Sequence, residues 1–570
     1  MFFGCAATGA TTAHDPFRAA FQASAGNLRI ALQGGPLLVD GVEARAPAET
    51  VLGLYRARGT DFVTGLTGRF ALALEDCGQG RVVLALDPMG MERLAWCVSG
   101  EQVVFSSSAA AVANRVGASL CSQSLFDYLL LHMIPAPDTA WQGVSKLRAG
   151  TVVIIQDGRV TERRYWIPAF RQSSDASFEE LGHGLQTALE AAVARCRPDA
   201  DTGAFLSGGL DSSTVAGVLG RVSGRAPRTY SIGFGVEGFN ELDFARIAAR
   251  HFGAAAREYE VVADDVADNL LRIAAACDEP FGNSSVIPTL CCAMFAARDG
   301  TDHLLAGDGG DELFGGNERY ARQRVFEAYG RIPATLRRRL IEPLARCIDP
   351  DSRIMPLRKL RSYVDQARIP MPERLESWNY MYREDLGAML SPDFRASVDP
   401  RAPLARMTEL YASAPTDDLL QRMLFFDWQY TLADNDLRKV GMMCELAGLR
   451  VSYPMLDPAV IELSLRVPPS MLMDGRELRS FYKRAMRGFL PEEILAKRKH
   501  GFGLPFGVWL KDHARLRELV FGLLSAFKSR HIVRPEFVDR LIGGQREGDA
   551  GYFGYAIWDL AMLEAWLASR

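Results

Sequence analysis

The residues best placed to do chemistry are Ser207-Gly208-Gly209-Leu210-Asp211-Ser212-Ser213. The apolar run Gly203-Ala204-Phe205-Leu206 before them is strand-like, and Thr214 to Leu219 after them can begin a helix. A strand, a Gly/Ser turn and a helix N-terminus together make an anion site. Backbone N–H groups point outward, the helix dipole favours negative charge, and the glycines let a phosphate approach closely. The serines add hydroxyl donors, and Asp211 sits where it could hold a Mg²⁺ bridging phosphate oxygens. No Gly-Lys-Ser/Thr follows the turn, so this is not the Walker pattern. A second stretch, His303-Leu304-Leu305-Ala306-Gly307-Asp308-Gly309-Gly310-Asp311-Glu312, ends a strand in a Gly-rich turn with three carboxylates. Carboxylates this close repel one another unless a cation or proton offsets them. Beside a triphosphate the natural partner is Mg²⁺, which needs few protein ligands. A third stretch, Ala496 to Phe506, is a basic, glycine-rich loop holding Lys499.

These groups need a frame. Arg228 to Phe234 reads as a strand beside the loop strand, and Asn240-Glu241-Leu242-Asp243-Phe244-Ala245 begins a helix with Asn240 as cap. Strand–helix alternation suits a parallel sheet covered on both faces, with ligand at the strands' C-terminal ends. Upstream, a polar linker from Arg171 leads to Ser177, which caps a helix over 178–195; Leu181, Leu185, Leu189 and Val193 fall on one face of it. Residues 1 to about 166 are β-rich, with strand-like runs at 28–32, 69–74, 82–86 and 102–105, a helix over 125–133, and a hairpin signal where 151–155 meets Asp157-Gly158. From about Gly330 to Asp427 the pattern is helical, and Trp558 to Trp566 reads as a packed helix.

With 570 residues, 48% apolar and 24% charged residues and net charge −4, the chain is an ordinary globular protein of two or more domains. That near-neutral balance gives no reason to expect nucleic acid or an anionic membrane as the main partner. The run Arg337-Arg338-Arg339 is too short for a binding patch and reads as a solvated helix face. Ten cysteines show no C-x₂-C pair or His/Cys metal spacing, which points to buried free thiols in a reducing compartment. No signal peptide or membrane helix is visible, and a cytoplasmic location is expected.

The first loop resembles the SGGxDS pyrophosphate loop of ATP pyrophosphatases, which cleave ATP between the α- and β-phosphates. With the carboxylate turn and Thr229 to Phe234, the similarity extends to the asparagine synthetase family over nearly the whole chain. Gly68-Arg69-Phe70-Ala71, Leu86-Asp87-Pro88-Met89-Gly90, Phe105-Ser106-Ser107, Leu147-Arg148-Ala149-Gly150 and Tyr165-Trp166 match that family's glutaminase domain in type and order. The resemblance implies an α/β fold in two parts. Residues 1–168 would form a degenerate Ntn-type glutaminase-like α+β sandwich. Residues 178–570 would form a doubly wound α/β ATP pyrophosphatase (synthetase) domain with a helical C-terminal part. It implies ATP and Mg²⁺ as cofactors. The nucleotide would meet Leu206, Ser207, Gly208, Gly209, Asp211, Ser212, Ser213, Ile232, Ala306 and Gly307, and the metal Asp211 and Asp311. Lys499 matches the family's catalytic lysine, where an ammonium would offset charge as pyrophosphate leaves. Asp308 stands where the family usually has a Glu near the reaction centre and is a candidate catalytic residue.

Several positions depart from the family pattern. The family's glutaminase uses a cysteine directly after the initiator Met, whose α-amine serves as base; here Phe2 stands there, Cys5 cannot present its α-amine, and no Asn-Gly-Glu loop is found. No glutamine hydrolysis is expected. Gly441 and Met442 replace an Asp-Arg, Arg450 and Ser452 replace a Glu-x-Arg, Asn283 stands where Asp is common and Asn317 replaces a common Tyr. Family members with a dead glutaminase take the amine from the substrate itself. Of these, the chain is most similar to the lasso peptide cyclases, which activate an Asp or Glu side chain of a precursor peptide and close it on the N-terminal amine. A leader peptidase would then be a possible partner. The alternatives are amidation by ammonia, β-lactam synthetase-like cyclisation of a small molecule, and a non-catalytic ATP-binding scaffold.

Overall fold

Period-two alternation builds the first domain. The computed structural model describes residues 3–7, 21–173, 175–349, 354–377, 379, 381–498, 503–547 and 550–570. Strands β1 (Phe3–Ala7), β2 (Phe21–Ala25), β3 (Leu28–Val39), β4 (Val42–Glu43), β5 (Leu66–Asp76), β6 (Arg81–Leu86), β7 (Ala95–Ser99), β8 (Gln102–Ser106), β9 (Ser145–Lys146), β10 (Thr151–Gln156) and β11 (Arg159–Arg164) form two antiparallel sheets. The larger has the order β11-β10-β6-β5-β3-β2, with β4 on β3; the smaller is β1-β8-β7-β9. In β5, Phe70, Leu72 and Leu74 pack with Val51, Leu52 and Tyr55 of helix α1 (Pro47–Arg58). Ala71 and Ala73, one residue out of phase, pack instead with Val103 and Phe105 of the smaller sheet. Alternate side chains thus serve two cores, which makes the layering helix, sheet, sheet. Val104 and Ala95 turn the other way, into the core shared with helices α2 (Ala109–Val116) and α3 (Ser122–Leu131) and with the rest of the chain.

Helix α4 (Phe178–Arg195) begins as its sequence dictates. Ser177 Oγ accepts the Glu180 N–H at 3.2 Å and Glu180 returns the bond to the Ser177 N–H at 2.8 Å, a closed capping box. The predicted stripe, Leu181, Leu185, Leu189 and Val193, is buried. Beyond it, β12 (Thr202–Phe205), β13 (Arg228–Phe234), β14 (Ala255–Val261), β15 (His303–Leu305) and β16 (Arg450–Ser452) form one parallel sheet of order β14-β13-β12-β15-β16. Every residue of β15 is buried, as are the first three of β12, so both faces are covered at the centre of the sheet, while the edge strand β14 is largely exposed. Helices α5 (Leu210–Ser223), α6 (Leu242–His251), α7 (Ala263–Ala276) and α8 (Val286–Arg298) make the crossovers, and the short α9 (Gly310–Phe314) follows β15. Strand order reverses between β12 and β15, which opens a crevice at their C-terminal ends.

Two expectations need correction. Asn240 does not cap α6 as its N-cap residue, which is Glu241; Asn240 Oδ1 accepts the Leu242 N–H at 3.2 Å from one position further out. The cysteines are not uniformly buried: Cys277, Cys291, Cys292 and Cys444 are, whereas Cys77 and Cys347 are exposed. Burial pushes the Cys277 and Cys291 thiols up to about 12, so these two are inert at neutral pH. The 330–427 region is helical, Trp428, Trp558 and Trp566 are in the core, and Trp378 lies outside the described residues.

Candidate active site

At the switch point the two glycine turns lie side by side and both line a cavity of about 1080 Å³. Gly208 takes φ +70°, and a Cβ there would lie 2.4 Å from the backbone of Phe244 and Ala245, so the loop sits directly against the start of α6. The serines tie the loop to itself: Ser207 N–H donates to Ser212 Oγ at 3.1 Å, and the two hydroxyls are 3.0 Å apart. Asp211, in the first turn of α5, reaches toward the second turn, where a Cβ on Gly310 would meet Asp211 Oδ1 at 2.0 Å. Only glycine permits that approach. Leu206, Ser207, Gly209, Asp211, Ser212, Ile232, Gly307, Asp308 and Asp311 all line the cavity. Gly208, Ser213 and Ala306 do not: Gly208 backs onto α6, and Ser213 and Ala306 are wholly buried behind the wall. Lys499 lies outside the described residues; Ala496, Lys497 and Arg498, which lead to it, line the cavity.

The main feature that sequence reasoning missed is Arg479. Its guanidinium lies between the two predicted metal carboxylates. Nη1 donates to Asp211 Oδ2 at 2.7 Å and to Asp311 Oδ1 at 3.0 Å, and Nη2 also bonds Asp211 Oδ1. Burial works against its charge, but Asp211 and Asp311 outweigh it and hold the group well above its ordinary value. A cation thus already offsets the pair's charge, and carboxylate oxygens are the ligand type that Mg²⁺ takes. With Arg476, Lys483, Lys497 and Arg498, Arg479 makes one wall basic. Lys497 is held by Glu241 at 3.1 Å and lies 4.7 Å from the Phe244 ring centre.

The opposite wall, beyond β15, has another character. Asn283 and Ser285 come from the segment just before α8 and Thr289 and Cys292 from its first half, and Asn317, Thr431, Asp436 and Lys439 complete it. Asn283 Nδ2 donates to Asn435 at 2.8 Å, and Lys439 Nζ donates to Asp436 at 2.9 Å. Burial lowers the Lys439 pKa, but Asp436 and Asp308 raise it further, so the ammonium stays charged. Burial lifts the Asp308 carboxyl to about 6, with Lys439 opposing. A carboxylate poised there exchanges protons near neutrality. If Asp308 must be ionised in the reaction, kcat/KM should fall as pH drops through about 6, and Asp308→Asn should remove that limb. An acid limb at about 4, the ordinary value, would contradict the role.

The departures at Gly441, Met442, Arg450 and Ser452 do not line this cavity. Arg450 pairs with Asp302 at 3.1 Å on the surface, Ser452 Oγ bonds His303 at 2.9 Å within the sheet, and Met442 lines a small interdomain space with Arg438 and Lys146. Asn283 and Asn317 do line it. Among the described residues, no group of three or more His, Cys, Asp or Glu side chains could hold a metal ion, and no helix is long and apolar enough to cross a membrane.

A two-sheet sandwich joined to a doubly wound parallel sheet, with paired glycine turns at its switch point, defines a two-part α/β protein with its site in the second part. The profile described as Asparagine synthase matches residues 184–568, and that described as Glutamine amidotransferase domain matches residues 37–166. The chain belongs to the asparagine synthase family, ligases that make C–N bonds with ATP. It is 23% identical over 526 residues to asparagine synthetase (glutamine-hydrolyzing) 1 of Bacillus subtilis, covering 91% of this chain and 80% of that one. A Mycobacterium tuberculosis protein that bears a provisional glutamine-hydrolyzing asparagine synthetase name is 27% identical over 546 residues, covering 91% and 79%. The solved structure of the allosteric regulatory enzyme of purine biosynthesis covers 45% of this chain and 64% of its own, at 14% identity and a TM-score of 0.18, too slight a likeness to bear on the fold.

Proposed function

We propose that this cavity activates a carboxylate by cleaving ATP at the α-phosphate, and that an amine of the same molecule then displaces AMP. The observation that carries the reading is the pair of turns: a Ser/Gly loop at a helix N-terminus packed beside the turn that bears Asp308 and Asp311, both lining one cavity with a basic wall. Triphosphate would lie on the Ser207–Ser212 loop, its charge met by the N-terminus of α5 and by Lys483, Lys497 and Arg498. Asp211 and Asp311 would hold Mg²⁺, which offsets phosphate charge when bound. On the far wall Lys439 would steer the carboxylate, Asn283 and Asn317 would orient it, and Asp308 would take the proton of the attacking amine.

The substrate we favour is a peptide whose Asp or Glu side chain closes on its own N-terminal amine, as in the lasso peptide cyclases. Two neutral amides, Asn283 and Asn317, line the cavity at positions where the asparagine-forming members usually carry Asp and Tyr. An intramolecular amine also has a kinetic advantage, since effective molarities reach about 10⁵ M or more. The second reading, amidation by ammonia, is favoured by the names of the relatives above.

The two readings part on one experiment. With ATP, Mg²⁺ and a peptide bearing a free N-terminus and an internal Asp or Glu, mass spectrometry should show loss of one water and no gain of nitrogen. Acetylating the N-terminus should stop it, and adding glutamine or ammonia should change nothing. Conversion of aspartate and ammonia to asparagine, with no reaction on any peptide, would establish the second reading instead.

A further inference from the structure

The two carboxylates assigned to the metal share one cationic nitrogen. Arg479 Nη1 is within 3.0 Å of both, so a cationic group already fills the space between the two carboxylates. The seat is built, not incidental. Arg479 has a left-handed backbone, φ 59° and ψ 31°, and its side chain is 6% exposed. Its guanidinium lies 4.5 Å from the Tyr482 ring centre. On the other side are glycines: a Cβ on Gly310 would come within 3.0 Å of Nη2, and one on Gly316 within 2.9 Å of Cδ.

The seat is also incompletely satisfied. Arg479 Nε is buried with no hydrogen-bond partner among the described residues, which costs free energy while the group stays there. A dication and a guanidinium cannot share the same carboxylate oxygens at this range, because their mutual repulsion in a partly dry pocket opposes each one's attraction. Phosphate oxygens offer the guanidinium the same planar, bidentate match that Asp211 gives it here, so a triphosphate can compete for it.

We propose that Arg479 is a positioning residue that makes metal binding at Asp211 and Asp311 conditional on nucleotide. Without triphosphate the arginine is the counter-cation of the pair and keeps divalent ions out. Triphosphate draws the guanidinium onto its own oxygens, and the vacated carboxylates then take the metal, so the ion enters with the nucleotide and not ahead of it. This rests on the nucleotide reading of the cavity.

The test uses Mn²⁺ on the full chain, with free ion read by its electron paramagnetic resonance signal. Wild-type protein should bind Mn²⁺ tenfold to a hundredfold more tightly with α,β-methylene-ATP than without it, a coupling of about the usual allosteric size. Arg479→Gln should bind Mn²⁺ without nucleotide at least about tenfold more tightly than wild type. Asp211→Asn in that background should cancel the gain. Arg479→Lys, which keeps a charge without the fork, should fall between. Tight Mn²⁺ binding by nucleotide-free wild type would overturn the proposal, as would no gain in either variant. If neither variant folds, wild type decides alone: Mg²⁺ without nucleotide should leave its melting temperature unchanged, and a rise would overturn the proposal. Failure of the analogue to bind any of these proteins would instead sink the nucleotide reading, while the variants' gain in nucleotide-free Mn²⁺ affinity would stand.

Discussion

Asp211→Ala should abolish release of AMP and pyrophosphate, lowering turnover by about 10³ or more. The residue has two jobs in one carboxylate. It would hold the metal beside the triphosphate, and in the ligand-free protein it is the main partner of Arg479. Removing it leaves that buried guanidinium on Asp311 alone, and breaking a buried ion pair by removing one partner costs about 3–5 kcal/mol. Asp211→Asn, which keeps the side chain's volume and a hydrogen-bond acceptor, is therefore the cleaner variant. It should retain a cooperative thermal transition and still lose turnover. Turnover within tenfold of wild type in a folded Asp211→Asn protein would remove the Ser207–Ser213 loop from the nucleotide site.

Lys499→Ala or Lys499→Met should cut turnover by about 10²–10³, the loss typical of one charge-stabilising donor, while ATP affinity moves little. The expectation comes from charge placement. Lys497 and Arg498, the residues just before Lys499 in sequence, line the basic wall, and an ammonium acting beside them would matter most when negative charge grows on departing pyrophosphate. Lys499→Arg should restore only part of the rate, because a planar fork has a different reach. Equal losses in ATP affinity and turnover would make Lys499 a uniform binder instead.

Local signals in the sequence were legible where short-range physics sets the structure. The capping box at Ser177 and the stripe through Val193 give α4 its full length. The β13 strand falls on its predicted residues, Arg228–Phe234, where β-prone Thr229, Tyr230, Ile232 and Phe234 lie close together. The turn glycines told of close approach, and the clash a Cβ at Gly310 would make with Asp211 is that approach. Arg479 was not legible, because its partners lie 268 and 168 positions away and nothing local marks it. Its signal was one of charge: a C-terminal stretch with Arg476, Arg479 and Lys483 complements two carboxylate-bearing loops far upstream. The substitutions from Gly441 to Ser452 misled in another way. They were singled out as departures from the family's Asp-Arg and Glu-x-Arg, but the chain turns away after Val440, so Met442 lies at the domain interface, Arg450 on the surface and Ser452 in the sheet.

The central claim is that a carboxylate oxygen attacks the α-phosphate. It is tested most directly with a peptide whose internal Asp or Glu carboxylate carries heavy oxygen in both positions. Attack at the α-phosphate transfers one labelled oxygen to AMP in each turnover, and pyrophosphate leaves unlabelled. Mass spectrometry of the nucleotide products should find AMP carrying a single heavy oxygen, in step with loss of one water from the peptide. Label in inorganic phosphate with ADP as co-product would place the attack at the γ-phosphate and contradict the claim.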